Sequence, residues 1–531
     1  MVMRLNGNRF VLNTPAADMH KRAEDAGWVQ SMPASLRAGH PIYFTDTPYA
    51  ALPLRLDGEC TSDVHERLKP YAVNYRSSFA HEGTPCPSPA GTEFMPFQLG
   101  GIDYACKRTN SLIGDEMGVG KTIQAIGVAN KLGVEVGLIV CPANVRLQWA
   151  RELKKWSMLC KNKFKMSPWV INSSATGANP VRQWQIVSYD LLRRPELFAQ
   201  LISQRFDLIV FDEAHMLKTV TSSRTRQALG CLSDPEHEAL ISRAARVVCL
   251  TGTPLPNRPR EAYALMRHLC WDAIDYCSEE AFLNRYNPHA VINQRTFTRT
   301  SRLPELRARM RCDFMVRRLK ADVLDQLPDK MYELAHVEDN GRIRKAVQAE
   351  KMLEIDVGNL DHINQDDWGA IATVRREMGE AMAPRVIEHV KALIDGGLDK
   401  VVLFGYHRGV LASYADALSG GLHINGATTP KARQAIVDRF IGDPEFKVLP
   451  GHLLSMGIGV DGLQKVCSHC VIAEPSWVPG ENEQAISRLD RHGQKQAVMA
   501  QFLVAHDSLS EKILSTALDK LQATTETLDG V

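Results

Sequence analysis

Two short stretches of this chain carry residue types that can do chemistry together. The first is Gly114-Asp115-Glu116-Met117-Gly118-Val119-Gly120-Lys121-Thr122. Apolar, turn-forming residues precede it and the helix-forming run Ile123-Gln124-Ala125-Ile126 follows, which places it between a strand and a helix. At such a junction, backbone N–H groups and the helix N-terminus surround the phosphates of a nucleotide. Gly118 and Gly120 let the backbone close around those phosphates, Lys121 offers a point charge to the outer ones, and the Thr122 hydroxyl is a Mg²⁺ ligand. The second stretch is Asp207-Leu208-Ile209-Val210-Phe211-Asp212-Glu213-Ala214-His215. Four consecutive apolar residues ending in two carboxylates read as a buried parallel strand with acids at its C-terminal edge, where open α/β sheets bind their ligands. There Asp212 would hold Mg²⁺ through a water, and Glu213 would polarise the water that attacks a γ-phosphate. An acidic turn after a core strand explains the carboxylates alone, but not the phosphate loop upstream.

The elements that position these residues recur along the chain. From about Pro96 to Cys270, the apolar runs Val136–Val140, Gln185–Tyr189, Leu208–Phe211 and Val247–Leu250 alternate with helical stretches, as in a doubly wound parallel sheet. A second series begins at Lys400–Phe404 and continues through His452–Ser455, Val471–Ala473 and Gln501–Val504. Between them, Ser278 to Pro384 reads as helical and charged, without clear strands. The first 88 residues hold short strand-like pieces, Arg9–Leu12 and Pro41–Thr45, and end in a linker-like loop, Gly83–Pro89. The expected division is an accessory domain over 1–88, a first lobe over 89–277, a helical insertion over 278–384 and a second lobe over 385–531. The fold class is α/β.

Composition narrows the function classes. The chain has 531 residues, 44% hydrophobic and 23% charged, as in an ordinary globular protein of about three domains. Its 63 basic residues against 61 acidic leave a net charge of +2, so any polyanion surface must be a local patch. The local excess lies between Arg295 and Lys320, where Arg295, Arg299, Arg302, Arg307, Arg309, Arg311, Arg317, Arg318 and Lys320 stand against Glu305 and Asp313. That run is a candidate for tracking a phosphate backbone, with a solvated helix face as the alternative. No apolar run approaches the ~18 residues that span a bilayer, and Met1–Asn8 lacks the apolar core of a secretory signal. Many of the twelve Cys sit inside apolar strands (Cys141, Cys249), which points to reduced thiols and a cytoplasmic setting. Cys467-Ser468-His469-Cys470 offers three soft ligands but no second pair at zinc spacing, so it reads as a turn entering a buried strand.

Taken in order, these residues resemble the Swi/Snf-type ATPases of helicase superfamily 2, and among them the annealing-helicase-like branch, from Phe94 to the C-terminus. Pro96-Phe97-Gln98-Leu99-Gly100-Gly101-Ile102 is similar to the family's glutamine motif, and Asp115–Thr122 to its phosphate loop. Leu138–Asn144 with Trp149 and Trp156, Leu250-Thr251-Gly252-Thr253-Pro254, and Arg317–Val323 followed by Leu327-Pro328 resemble successive motifs. So do Val402–His407, His423–Thr428 with Arg433 and Phe440, and Trp477-Val478-Pro479-Gly480 leading into Gln484–Gln494. The resemblance implies two tandem RecA-like lobes and the use of Mg-ATP. Gln98 would read adenine, and Asp115, Gly118, Val119, Gly120, Lys121, Thr122 and Gly462 would contact nucleotide. Arg488 and Arg491 would be arginine fingers; three apart, they would share a helix face. It implies DNA contacts from Pro142, Asn144, Ser188, His407 and Ser455, and coupling of hydrolysis to DNA through His215, Thr251, Thr253 and Gln494. Arg317 and Arg318 would organise the junction between lobes.

The implied activity is DNA-stimulated ATP hydrolysis that drives translocation on duplex or branched DNA, with annealing, branch migration or remodelling as output. A strand-separating helicase and a weakly hydrolysing, nucleotide-dependent DNA-binding regulator are the alternatives. The compact form suits a bacterial or phage-infected cell; a eukaryotic source would make it nuclear. No base-reading motif is present, so DNA contact should tolerate sequence. Two departures stand out. Gly457-Ile458-Gly459-Val460-Asp461-Gly462-Leu463-Gln464 places the carboxylate of Asp461 in a glycine-rich segment that normally approaches phosphate, and Leu449-Pro450-Gly451-His452 interrupts an expected core strand. In the N-terminal region, Ala26-Gly27-Trp28 and Tyr43-Phe44-Thr45-Asp46 resemble the accessory domain ahead of some such ATPases. Trp28, Tyr43 and Phe44 would either stack on bases or form that module's core.

Overall fold

The computed structural model describes the chain apart from residues 1, 14–16, 27, 32–33, 36–37, 39–40, 56–58, 162–166, 181–182, 235, 256–257, 293–294, 299–300, 325–327, 329, 354–364, 458–459, 516, 518–527 and 529–531. Gly27, Arg299, Leu327, Ile458, Gly459 and the side chain of Arg295, named above, therefore lie outside the described residues. The chain forms two compact units: Met1–Glu116 with Gly120–Leu319 and Gln522–Val531, and Met117–Val119 with Lys320–Leu521.

In the first unit, β1 (Val2–Asn6), β2 (Arg9–Asn13), β3 (Val29–Gln30), β4 (Ile42–Thr45) and β5 (Glu59–Cys60) form a small, mostly antiparallel sheet in the order β3-β4-β2-β1-β5. Met3, Phe10, Leu12, Trp28 and Tyr43 fill its core. Trp28 and Tyr43 are thus packing residues of the module's core, the second of the two alternatives read from the sequence. The helices Pro48–Arg55 and Ser62–Ser77 carry this module onto the helix Leu303–Asp313 through Leu52, Ala72, Ala308 and Cys312. Gly83–Pro89 is not a free linker: Thr84 bonds Asp103, Cys86 Sγ reaches Gly127 O, and Asn130 donates to Pro87 O.

The larger sheet of the first unit is built from β6 (Asn110–Ile113), β7 (Gly137–Cys141), β8 (Trp169–Val170), β9 (Trp184–Ser188), β10 (Leu208–Asp212) and β11 (Val247–Leu250). The hairpin β12 (His289–Ile292) and β13 (Arg295–Thr298) stands apart, and β14 (Met315–Val316) completes the sheet in the order β14-β6-β11-β10-β7-β9-β8, all parallel. Every residue of β7 and β9 is buried, the polar Gln185 and Ser188 of β9 included, as strands in the interior of a parallel sheet are.

The second unit holds β15 (Lys330–His336), β16 (Val401–Gly405), β17 (Val448–His452), β18 (His469–Ile472) and β19 (Val498–Val504), parallel throughout in the order β15-β19-β18-β16-β17. Several expectations change here. The stretch from Ser278 to Pro384 contains β12 to β15. The strand expected at His452–Ser455 is β17, shifted upstream, and Leu453–Gly457 is helical. Pro450 does not break the sheet, because β17 is an edge strand. Pro450 O accepts from Ile424 N at 3.1 Å on the outer side, so the missing N–H also faces outward.

The basic run is corrected as well. Arg309, Arg311, Arg317, Arg318 and Lys320 are all buried. Glu305, itself inaccessible, pairs with Arg309 at 2.8 Å and Arg285 at 2.7 Å, and Arg311 Nε donates to Leu528 O at 2.9 Å. These guanidiniums tie segments of the first unit together and are not available to a DNA backbone. Cys467 Sγ donates to Lys400 O and His469 O, and burial pushes its thiol up to about 12, so the Cys467–Cys470 stretch is a buried turn and strand. Among the described residues no helix is long and apolar enough to cross a membrane.

Candidate active site

The phosphate loop runs from the end of β6 to the helix Lys121–Leu132. Gly118 (φ 89°) and Gly120 (φ 86°) occupy left-handed backbone that side chains disfavour, and a Cβ on Gly120 would stand 2.6 Å from Gln98 Nε2. Gln98 is buried in the first turn of the helix Pro96–Cys106, where its Oε1 accepts from Met95 N at 3.0 Å. Lys121 Nζ is turned into the loop, donating to Asp115 O at 2.9 Å and Glu116 O at 3.0 Å. Burial pushes this ammonium down to about 8, against the opposing pull of Glu213, Asp115 and Asp212.

Asp115 departs from its expected role. Its inaccessible carboxylate takes the Arg318 side chain (Nε at 2.9 Å), the Arg318 backbone N–H at 3.0 Å and Gln124 Nε2 at 2.8 Å. With its acceptor sites occupied, it fixes the base of the loop rather than facing nucleotide. Arg317 does the same for the preceding residue, donating to Gly114 O at 2.7 Å. Sequence reasoning missed this clamp; two adjacent arginines beside an aspartate two hundred residues away leave no local signal.

At the edge of β10, Asp212 Oδ2 accepts from Trp149 Nε1 at 2.7 Å, Oδ1 from Glu213 N at 3.0 Å, and its carbonyl from the Tyr189 hydroxyl at 2.8 Å. Burial, and then the charge of Glu213, push the Asp212 carboxyl up to about 6. Glu213 has φ 51°, a left-handed conformation that costs a non-glycine residue about 1–3 kcal/mol and is typical of functional turns. Its Oε2 lies 3.3 Å from His215 Nδ1, which is 3.0 Å from Thr251 Oγ1, which in turn accepts from Thr253 N at 3.1 Å. The β10–β11 register, Asp212 opposite Leu250, sets these groups side by side. Glu213, His215, Thr251 and Thr253, chosen from two separate motifs, lie together, with Glu213 and Thr251 both facing the His215 Nδ1 atom.

The remaining expected residues fall into three groups. Pro142 ends β7 and caps the turn Ala143–Val145, with Asn144 partly exposed. Ser188, 2% exposed at the end of β9, is too buried for a side-chain contact with DNA. In the second unit, His407 Nδ1 lies 2.6 Å from Glu474, and Ser455 Oγ is 3.5 Å from His452 Nδ1. Gln494 is buried in its own turn, donating to Cys467 O and Leu489 O and accepting from Lys495 N and Gln496 N, which assigns it to shaping that turn. The helix Pro479–Ile486 ends before Arg488 and Arg491, so the two arginines lie in the following turns and share no helix face. Both bind the glycine-rich segment: Arg488 Nε donates to Gly457 O at 2.8 Å, and Arg491 Nη1 to Asp461 Oδ1 at 2.8 Å. Gly462 (φ 101°) donates its N–H to Asp461 Oδ1 and Gln464 Oε1.

Residues 56–380, more than half of the chain, match the SNF2-related domain. The chain belongs to the SNF2-related family. The matched stretch of this SNF2-related chain contains the phosphate loop and the Asp212-Glu213 edge, and ends within the helix Gln365–Asp395. Mouse DNA annealing helicase and endonuclease ZRANB3 is 30% identical over 465 residues, 84% of this chain and 41% of that protein. The SWI/SNF-related matrix-associated actin-dependent regulator of chromatin subfamily A-like protein 1 of Xenopus tropicalis is 29% identical over 455 residues, 82% of this chain and 45% of that protein. The SNF2-related chain thus spans less than half the length of these two relatives. The solved Sulfolobus solfataricus SWI2/SNF2 ATPase core in complex with dsDNA aligns over 85% of this chain and 93% of that one, at 19% identity and a TM-score of 0.38.

Proposed function

We propose that this SNF2-related chain hydrolyses ATP to move along duplex or branched DNA, with annealing, branch migration or remodelling as the output. The observation that carries the reading is the placement of Glu213 beside His215, whose Nδ1 also meets Thr251, so that a hydrolytic carboxylate stands against the end of the neighbouring strand. Gln98, Gly118, Val119, Gly120, Lys121 and Gly462 bind the nucleotide. Lys121 exchanges its two carbonyl partners for phosphate oxygens. Mg²⁺ fits the hard oxygen donors of Thr122 and Asp212, and the desolvation that raises Asp212, together with the neighbouring charge of Glu213, makes an environment that a divalent cation relieves. When bound, the ion neutralises charge on the phosphates. Glu213 accepts the proton of the attacking water, and Arg488 and Arg491 supply positive charge to the γ-phosphoryl oxygens. Pro142, Asn144, His407 and Ser455 line backbone contacts to DNA.

The ion pair between Asp461 and Arg491 favours a second reading, a nucleotide-dependent regulator that hydrolyses little. Phosphate release compared across single-stranded, duplex, forked and RNA ligands tests both. Strong stimulation by duplex or fork supports the translocase, and a flat, slow rate supports the regulator. A translocase also releases a triplex strand without unwinding a fork, whereas a strand-separating helicase unwinds it.

A further inference from the structure

The reading above makes no use of a cluster on the second unit where three elements converge. His336 is the last residue of β15, opposite Val504 in the β15–β19 register; His506 lies two residues beyond that partner; and Glu511 follows in the next helical turn. His336 Nε2 is 2.8 Å from Glu511 Oε1, and His506 Nδ1 is 3.7 Å from the same oxygen. One ligand atom from each residue lies within 4.8 Å of the others. Ligands on a tetrahedral zinc ion at bond lengths of about 2.0 Å stand roughly 3.3 Å apart, between the two measured separations. We propose that His336, His506 and Glu511 form a binding site for a divalent transition-metal ion of the zinc class.

The surroundings are arranged as such a site requires. The second carboxylate oxygen of Glu511 accepts from the Asp507 N–H at 2.7 Å, which orients Oε1 toward the imidazoles in the manner of an outer-shell bond. Asp507 adopts left-handed backbone (φ 60°), and the turn it creates swings His506 toward His336, with the rings edge to face at 5.4 Å. Two imidazoles and one carboxylate suit Zn²⁺, Co²⁺ or Ni²⁺ and are a poor set for the hard Mg²⁺ ion, so the site is chemically separate from Asp212 and Thr122. It also has a structural use. β15 is a sheet-edge strand whose side chains are mostly exposed, including Met331, Tyr332 and Leu334, so little apolar burial holds it. Lys330 and Tyr332 anchor its start on Glu483. A metal ion on His336 would anchor its end to the chain after β19.

The test uses the full chain in Mg²⁺ buffer, titrated with Zn²⁺ or Co²⁺, beside a His336→Gln/His506→Gln double variant and Glu511→Gln. The wild type should bind one more Co²⁺ than the double variant. The difference spectrum should show visible d–d bands without the near-ultraviolet thiolate transition that any of the twelve Cys would give. Each variant should lose at least the about 10–100-fold in Zn²⁺ affinity that removal of an outer-shell partner alone costs, together with the Zn²⁺-dependent rise in melting temperature. Their ATP hydrolysis in Mg²⁺ buffer freed of transition-metal ions should match the wild type. Equal stoichiometry and affinity in wild type and variants would overturn the proposal, as would variants that lose only metal-independent stability.

Discussion

Asp461 pairs with Arg491 at 2.8 Å, so the arginine expected to serve the γ-phosphate is held by a carboxylate of its own unit. Arg491 in turn keeps that carboxyl below its usual range, outweighing the partial desolvation of a side chain that is still largely exposed. The Asp461 side chain is more than half exposed, and exposed pairs contribute about 0.2–1 kcal/mol. Asp461→Asn should therefore raise DNA-independent ATP turnover, by no more than about 5-fold. Arg491→Ala should instead lower turnover by about 10³–10⁵ while DNA binding persists. A fall in turnover for Asp461→Asn would show that the carboxylate positions the arginine rather than restraining it. Normal turnover with lost DNA affinity in Arg491→Ala would move that residue to the DNA surface.

Trp149 is the orienting partner of Asp212. Trp149→Phe keeps the packing of a fully buried ring but removes a hydrogen bond to a carboxylate, a type of bond whose loss costs about 1.5–3 kcal/mol. Mg-ATP affinity should fall about 10–100-fold, while a metal-free nucleotide binds as before. Equal losses with and without Mg²⁺ would indicate a packing defect instead.

A pH effect on stability should arise at Glu350. Burial pushes its carboxyl up to about 7, and Leu509 N is its hydrogen-bond donor at 2.7 Å. Between the unfolded value near 4.5 and about 7, the folded state binds the extra proton, so stability falls as pH rises through that window and stays lower above it. Glu350→Gln removes the charge and should stabilise the second unit at pH 8 by on the order of 1–3 kcal/mol, with little change at pH 5. Thermal melts at the two pH values measure this directly; a shift equal at both would assign the gain to something other than titration.

The accessory module should behave as part of the first unit. Tyr49 donates its hydroxyl to Asp313 at 2.6 Å, and burial raises the Asp313 carboxyl while this bond lowers it. Tyr49→Phe should destabilise the first unit by about 1–3 kcal/mol. Deleting residues 1–88 should expose Ala308 and Cys312 and yield insoluble protein. A soluble truncation with full ATPase activity would contradict the packing.

Much of the site was legible because its residues are local in sequence. The strand ending in Asp212-Glu213 is a contiguous apolar run, and the phosphate loop advertises itself through glycines that a side chain cannot replace. The strands β7, β9, β10, β11 and β16 were readable to within a residue, whereas β17 was expected too far downstream and β6 and β14 were not marked. What escaped depends on long-range pairing. Composition counts Arg309, Arg311 and Arg318 as surface charge, because a sequence does not show that the nearby Glu305 is buried with Arg309, or that Asp115 and Leu528, some two hundred residues away, receive Arg318 and Arg311. β15 has mostly exposed side chains, so no apolar pattern marks it. Pro450 looked disruptive because a sequence does not say which strand is the edge. The left-handed turn at Glu213 is a tertiary demand placed on a residue whose type gives no hint of it.

The most direct test of the central claim is steady-state phosphate release by the wild type and Glu213→Gln, each with and without duplex DNA, beside nucleotide binding by both. Duplex DNA should strongly stimulate the wild type. Glu213→Gln should bind Mg-ATP with near-normal affinity yet release almost no phosphate under either condition. A Glu213→Gln protein that hydrolyses at the wild-type rate, or a wild type indifferent to DNA, would contradict the account.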